Sequence, residues 1–370
     1  MSDEKDHRIK VLRTESRVRG MMLGLAIGDT LGAARGKLPT SGALRAGVST
    51  QLACFTAEGV IRAMVRGSHK GICHPPSVVL HAYCRWAVMQ GIEVDRMRRR
   101  WAAAKGDEAW PDGWLADVPV LGERRGSAPA TVAALSRIED PYDRIATPSL
   151  GCHALTRTLP VAVAGTGWAR QAGEFAALTH GDSAAQSAAA QAAVLVHHCL
   201  TTPQEHDSSD HSDRALREAL EMGIAALPSL GERATADEHG RLLAAFQHAV
   251  DQPAQAPLLI RLAPDATAPS ALLGGIYTAA SFPGRTQLRA ALEFATSAPD
   301  GDSVACVTGA LVGAVHGFEA LPVDLVSRHE LAWVLDTLAR DMLSQIVDSP
   351  SGSEYVAGWD SYWWDRYPGW

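Results

Sequence analysis

Glycine recurs at every fourth residue in two places: Gly20, Gly24, Gly28 and Gly32, and again Gly309, Gly313 and Gly317. Residues four apart share one face of an α-helix, so each set draws a smooth stripe. A helix-interior glycine costs about 1 kcal/mol relative to alanine, which predicts that another backbone presses against each stripe. The stripes lie in "RVRGMMLGLAIGDTLGAA" (17–34) and "DGDSVACVTGALVGAVHG" (300–317), near opposite ends of the chain. They predict two central helices. If the two cross, Asp29 comes close to Asp300 and Asp302.

The remaining sequence supports an all-α, compact, single-domain, multi-helix fold. "AAQSAAAQAAVLVHHCL", "RALREALEMGIAAL", "TQLRAALEFAT" and "HELAWVLDTLARDML" place apolar residues three and four apart, whereas alternating β-branched runs are rare. With 46% hydrophobic and 20% charged residues, the 370-residue chain can bury a large core. Its net charge of −7 argues against general nucleic-acid or anionic-membrane partners. The most apolar early stretch is broken by Asp29 and is too short to span a bilayer. Six scattered cysteines, with no Cys-x-x-Cys pair and no signal-peptide pattern, point to a reducing cytoplasm.

Three segments are expected: a flexible N-terminal tail (1–16), the helical domain (17–345) and an aromatic C-terminal tail (346–370). The last holds "WDSYWWDRYPGW", with four of the ten tryptophans, and is expected to dock on the body. An aromatic wall for a base and a homodimer contact are its other uses.

Asp300, Asp302 and Ser303 crowd oxygen atoms at a helix start. Two readings stand side by side. Asp302 or Ser303 caps the helix and the acids favour its positive end, or the three oxygens hold a hard divalent cation. Likewise, Asp182 either caps the helix that follows it or faces a ligand beside His180.

Six segments in order bear on the choice: "RVRGMMLGLAIGDTLGAA", "STQLACFTAEGVIRA", "RGSAPATVAAL", "GCHALTRTLPVAVA", "ALTHGDSAAQSAAAQAAVLV" and "DGDSVACVTGALVGAVHG". The series resembles the ADP-ribosylglycohydrolase family, which includes the dinitrogenase reductase-activating glycohydrolases, over roughly residues 17–345. That resemblance implies an all-α fold, a pair of central Mg²⁺ ions, and hydrolysis of a glycosidic bond to ADP-ribose. Asp300, Asp302 and Ser303 match the family's Asp-x-Asp-Thr ligands, so the two aspartates are also the expected catalytic carboxylates. Thr50 is the only survivor of a Thr-Asp-Asp-Thr run that here reads Gly47-Val48-Ser49-Thr50. The glutamate that several members place after Gly-Asp-x-Leu-Gly is missing too, and Arg35 stands in that region. The resemblance therefore leaves one Mg²⁺ ion at Asp300, Asp302, Ser303 and Thr50, or none.

It also implies ADP-ribose binding at Ser127, Gly151, Cys152, His153, Arg157, His180 and Asp182. His153 departs from the pattern, since the family's Gly-x-Gly-x-x-Met-Arg has glycine there. Two functions follow: a divergent ADP-ribosyl hydrolase with a reduced metal site, or an inactive relative that binds a nucleotide or a protein.

Overall fold

The computed structural model describes residues 2–92, 95–97, 110–138, 146–203, 209–233 and 235–369. Helices dominate, and among these residues extended pairing is limited to isolated bridges. The helices that bear on the site are α1 (Ser2–Ala33), α2 (Val48–Lys70), α3 (Pro75–Met89), α4 (Pro129–Leu135) and α5 (His153–Thr156). They are joined by α6 (Ala169–Ala177), α7 (Ser183–Thr201), α8 (Ala268–Ser281), α9 (Gly301–His316) and α10 (Ala332–Val347). No described helix is long and apolar enough to cross a membrane.

Helices α1 and α9 cross antiparallel with their glycine stripes face to face. A Cβ on Gly24 would sit 2.2 Å from the Gly309 carbonyl oxygen, and one on Gly20 would sit 2.4 Å from that of Gly313. The contact continues at Gly28, 2.1 Å from the Ala305 oxygen, and at Gly32, 2.3 Å from the Asp302 Cα. Backbone meets backbone for four turns. Around this seam pack Leu23, Leu25, Ile27, Val304, Val307 and Leu311, all buried. Helix α8 adds a second close approach, since Gly275 leaves room for Val307. α1 begins at Ser2, so the segment expected as a separate N-terminal tail belongs to its first half.

Local signals set the other boundaries. α2 starts after an extended Gly47 and stops at Gly71, whose φ of 65° is the left-handed helix end that glycine adopts without strain. α3 opens with Pro75 and Pro76, which need no intrahelical donor there. Fully buried Glu58 on α2 accepts from Arg62 (2.7 Å) and from Arg85 on α3 (2.5 Å). Arg62 also donates to Asp112 at 3.0 Å, which fastens the 110–122 segment to both helices.

Residues 346–369 return to the body. Trp363 donates to Gln345 at 2.8 Å, Tyr367 donates to Asp341 at 2.6 Å, and both aromatic rings are buried.

The seam gives a direct expectation. Gly24→Ala should lower the unfolding free energy by about 1–3 kcal/mol, because the new methyl group overlaps a backbone carbonyl that cannot retreat. Gly240→Ala, on an open helix surface with nothing within 4 Å of its Cβ, should instead raise it slightly. Denaturant unfolding of both variants checks the contrast.

Candidate functional site

Because the stripes run antiparallel, the last turns of α1 lie over the first turn of α9. Asp29 therefore points at the N-terminus of α2 and lies within electrostatic reach of Asp302. Its Oδ2 accepts from the Thr50 amide (3.0 Å) and from the Thr50 hydroxyl (2.6 Å). A Cβ on Gly47 would fall 2.4 Å from Asp29 Oδ1, so the carboxylate fills the space that a side chain at 47 would need. Burial pushes the Asp29 carboxyl up to about 6 against the two Thr50 bonds, and the Asp302 charge adds to the rise.

Asp300 occupies the N-cap position of α9, but its side chain makes no capping bond. The expected caps, Asp302 and Ser303, lie inside the helix instead. Asp300 Oδ2 is buried with no hydrogen-bond partner. Burial, and then the Asp302 charge, push the Asp300 carboxyl up to about 6, while Ser303 and the Cys152 thiol bond to it and oppose the rise. The Cys306 thiol, on the next turn, feels Asp29, Asp300 and Asp302 and is pushed well up, mainly by burial. A cleft of about 310 Å³ opens over this group, lined by Gly32, Ala33, Arg35, Thr296, Asp300 and Asp302 among others. Arg35 is an exposed rim residue held at φ 49°.

The second flank is the loop into α5. The Gly151 amide donates to Ser149 Oγ (3.1 Å) and the Cys152 amide to the Ala266 carbonyl (3.0 Å). Both amides are engaged within the protein, unlike an open phosphate cradle. His153 reaches outward from this loop: Nε2 lies 2.9 Å from the Ser127 carbonyl oxygen and Nδ1 lies 3.2 Å from Ser49 Oγ. Beyond Ser127 lies a second cavity of about 260 Å³, lined by Val48, Trp86, Gln90, Arg124, Ser127 and Val132 among others. His153 thus ties the start of α5 to Ser127, which lines the second cavity.

Arg157, His180 and Asp182 lie behind this surface. Wholly buried Arg157 donates to Thr131 Oγ1 (3.0 Å), the Phe175 carbonyl (3.0 Å) and Thr179 Oγ1 (2.7 Å). Its guanidinium lies 4.4 Å from the centre of the Tyr83 ring. It lines neither cavity, and it ties α4, α6 and the turn before α7 together. The Thr179 hydroxyl accepts from Arg157 and so turns its own hydrogen to His180 Nδ1, 2.8 Å away. Burial pushes the His180 imidazole down to about 2 and keeps it neutral. Its ring flanks Gly151, where an added Cβ would stand 3.5 Å from Nε2. Asp182 accepts from the Ala184 amide at 2.8 Å, which is the capping role. It lines neither cavity.

The sequence reading missed Trp86 and Gln90. Their four-residue spacing on α3 marks a shared face, but nothing local says that this face borders a cavity. Gln90 donates to the Leu121 carbonyl at 2.7 Å, and Trp86 donates to Gln51 at 3.3 Å.

A family model described as ADP-ribosylglycohydrolase matches residues 11–351. The chain belongs to the ADP-ribosylglycohydrolase family. A solved structure titled "ADP-ribosylglycohydrolase-related protein complex" is similar at a TM-score of 0.56 and 22% identity, covering 90% of this chain and 99% of that one. At that identity the likeness speaks for the fold. No curated protein matches this chain.

The resemblance implies a divalent metal pair, and two of the positions it would use, 48 and 49, carry no carboxylate here. Among the described residues, no three His, Cys, Asp or Glu side chains come together to hold an ion. Val48 faces the second cavity, Ser49 is engaged with His153 and Thr156, and Thr50 gives both its donors to Asp29.

The raised Asp300 carboxyl has a consequence for stability. Its folded pKa of about 6 exceeds the ordinary 3.8, so the folded state holds the proton more tightly than the unfolded chain does. This contribution is fully present below about 4 and is lost as pH rises toward 6. Asp300→Asn should therefore gain on the parent protein across that window and keep a constant advantage above about pH 7. The advantage should be on the order of 1–2 kcal/mol, because water still reaches part of the side chain. Denaturant melts from pH 4 to 8 measure it.

Proposed function

We propose that this protein binds an ADP-ribose-like ligand, a ribosyl group carrying a diphosphate, and does so without the metal pair of its family. The observation that carries this reading is the engagement of Ser49 by His153 and Thr156, at a position where the resemblance places a carboxylate ligand. The acidic cleft keeps what sugar recognition needs. Asp300 Oδ2 is a buried acceptor without a donor, and a ribose hydroxyl can supply one. Arg35 on the rim offers a cation to the phosphates, and Arg124 does so at the neighbouring cavity. Van der Waals contact with Val48 and Val132 suits a flat, weakly polar group such as a base. Asp300, protonated more readily than an ordinary carboxyl, can donate as well as accept below about pH 6.

The partnerless Asp300 Oδ2 also favours a second reading, in which a single cation satisfies it and the chain is a divergent ADP-ribosyl hydrolase. Calorimetric titration with ADP-ribose separates the two. The metal-free binder should keep its affinity within about twofold between excess Mg²⁺ and chelator, and Asp302→Ala should weaken it about tenfold or more in both. Affinity that collapses in chelator favours the single-ion hydrolase. No heat in either condition removes the nucleotide from consideration.

A further inference from the structure

Ser49 and His153 form a closed hydrogen-bonded unit. A carbonyl oxygen only accepts, so the 2.9 Å contact to Ser127 places the imidazole proton on Nε2. Nδ1 is then an acceptor, and the Ser49 hydroxyl at 3.2 Å donates to it. Ser49 accepts in turn from the Thr156 hydroxyl at 2.9 Å. Both ring nitrogens are engaged, so neither offers a free lone pair to an ion. Burial, the largest influence, holds the imidazole pKa below its usual value, and the neutral form that these bonds require is the one present at neutral pH.

The ring also has a definite place. On one side it touches Ser49, and on the other it stands within electrostatic reach of Asp302. An ion held jointly by a carboxylate at position 49 and by Asp302 would lie between those two side chains, about 2 Å from each oxygen. The imidazole, bonded to Ser49 and within reach of the Asp302 charge, stands on that side of Ser49. An aspartate at 49, longer than serine, would run into Nδ1.

We propose that His153 excludes divalent metal from this cleft, its imidazole filling the ion position and replacing metal–oxygen bonds with hydrogen bonds to Ser49 and Ser127. The proposal rests on the metal-free reading above, but its test uses no nucleotide, so the two can fail separately.

Electron paramagnetic resonance follows Mn²⁺ added to the full chain, to Ser49→Asp, and to Ser49→Asp with His153→Gly. The parent and the single variant should leave Mn²⁺ free, whereas the double variant should bind at least about tenfold more tightly than Ser49→Asp. Three results overturn the proposal: Mn²⁺ binding by the parent, equal binding by Ser49→Asp and the double variant, or no gain in a double variant that melts like the parent. Should the glycine variant fail to fold, Ser49→Asp with His153→Ala takes its place. Independently, nuclear magnetic resonance of the parent should show His153 as the Nε2–H tautomer, unbroadened by Mn²⁺. Broadening of its ring signals overturns the proposal whatever the variants do.

Discussion

The contact between two glycine stripes sets the geometry of everything near the site. Helices normally pack 8–10 Å apart with side chains between them. Here α1 and α9 have no side chain to interpose at Gly20, Gly24, Gly309 or Gly313, and carbonyl oxygens of one meet the backbone of the other. Such a seam admits one register. Sliding by a residue would drive Met21 or Leu25 into the opposing backbone. Asp29 and Asp302 come from positions far apart in sequence, and this single register brings them within electrostatic reach of each other.

That proximity has an electrostatic cost, which the fold meets unevenly. Asp29 receives two donors from Thr50, whereas Asp300 retains an unsatisfied oxygen. In a family that implies cations here, neighbouring carboxylates would be neutralised by the ions. Here burial raises the proton affinity of Asp29 and Asp300, and positions 48 and 49 carry a valine and a serine, which add no charge. The rigidity of the fold resides in the glycine seam and in buried cations such as Arg157 and Arg85, which bond to protein groups.

What the sequence disclosed followed its periodicities. Four-residue glycine spacing foretold the crossing and the approach of Asp29 to Asp302, and helical spacing foretold the all-α class. The capping role of Asp182 was legible because caps are local. Arg157 was not: a motif match cannot tell an arginine that faces a ligand from one that braces a turn, and only burial shows that it donates to Thr131 and Thr179. The engaged amides of Gly151 and Cys152 were equally hidden, since their acceptors include Ala266, more than a hundred residues away. Trp86 and Gln90 border a cavity formed by three separate segments, and no single stretch announces it.

Gly47 bears on how such a site could change. Its missing Cβ is the room into which the Asp29 carboxylate has swung, with an oxygen 2.4 Å from where that atom would be. A side chain at 47 would meet that oxygen, and the acid would have to turn to make room. Position 47 and Asp29 are therefore tied: the small residue and the seated acid go together. A change at either one calls for an answering change at the other.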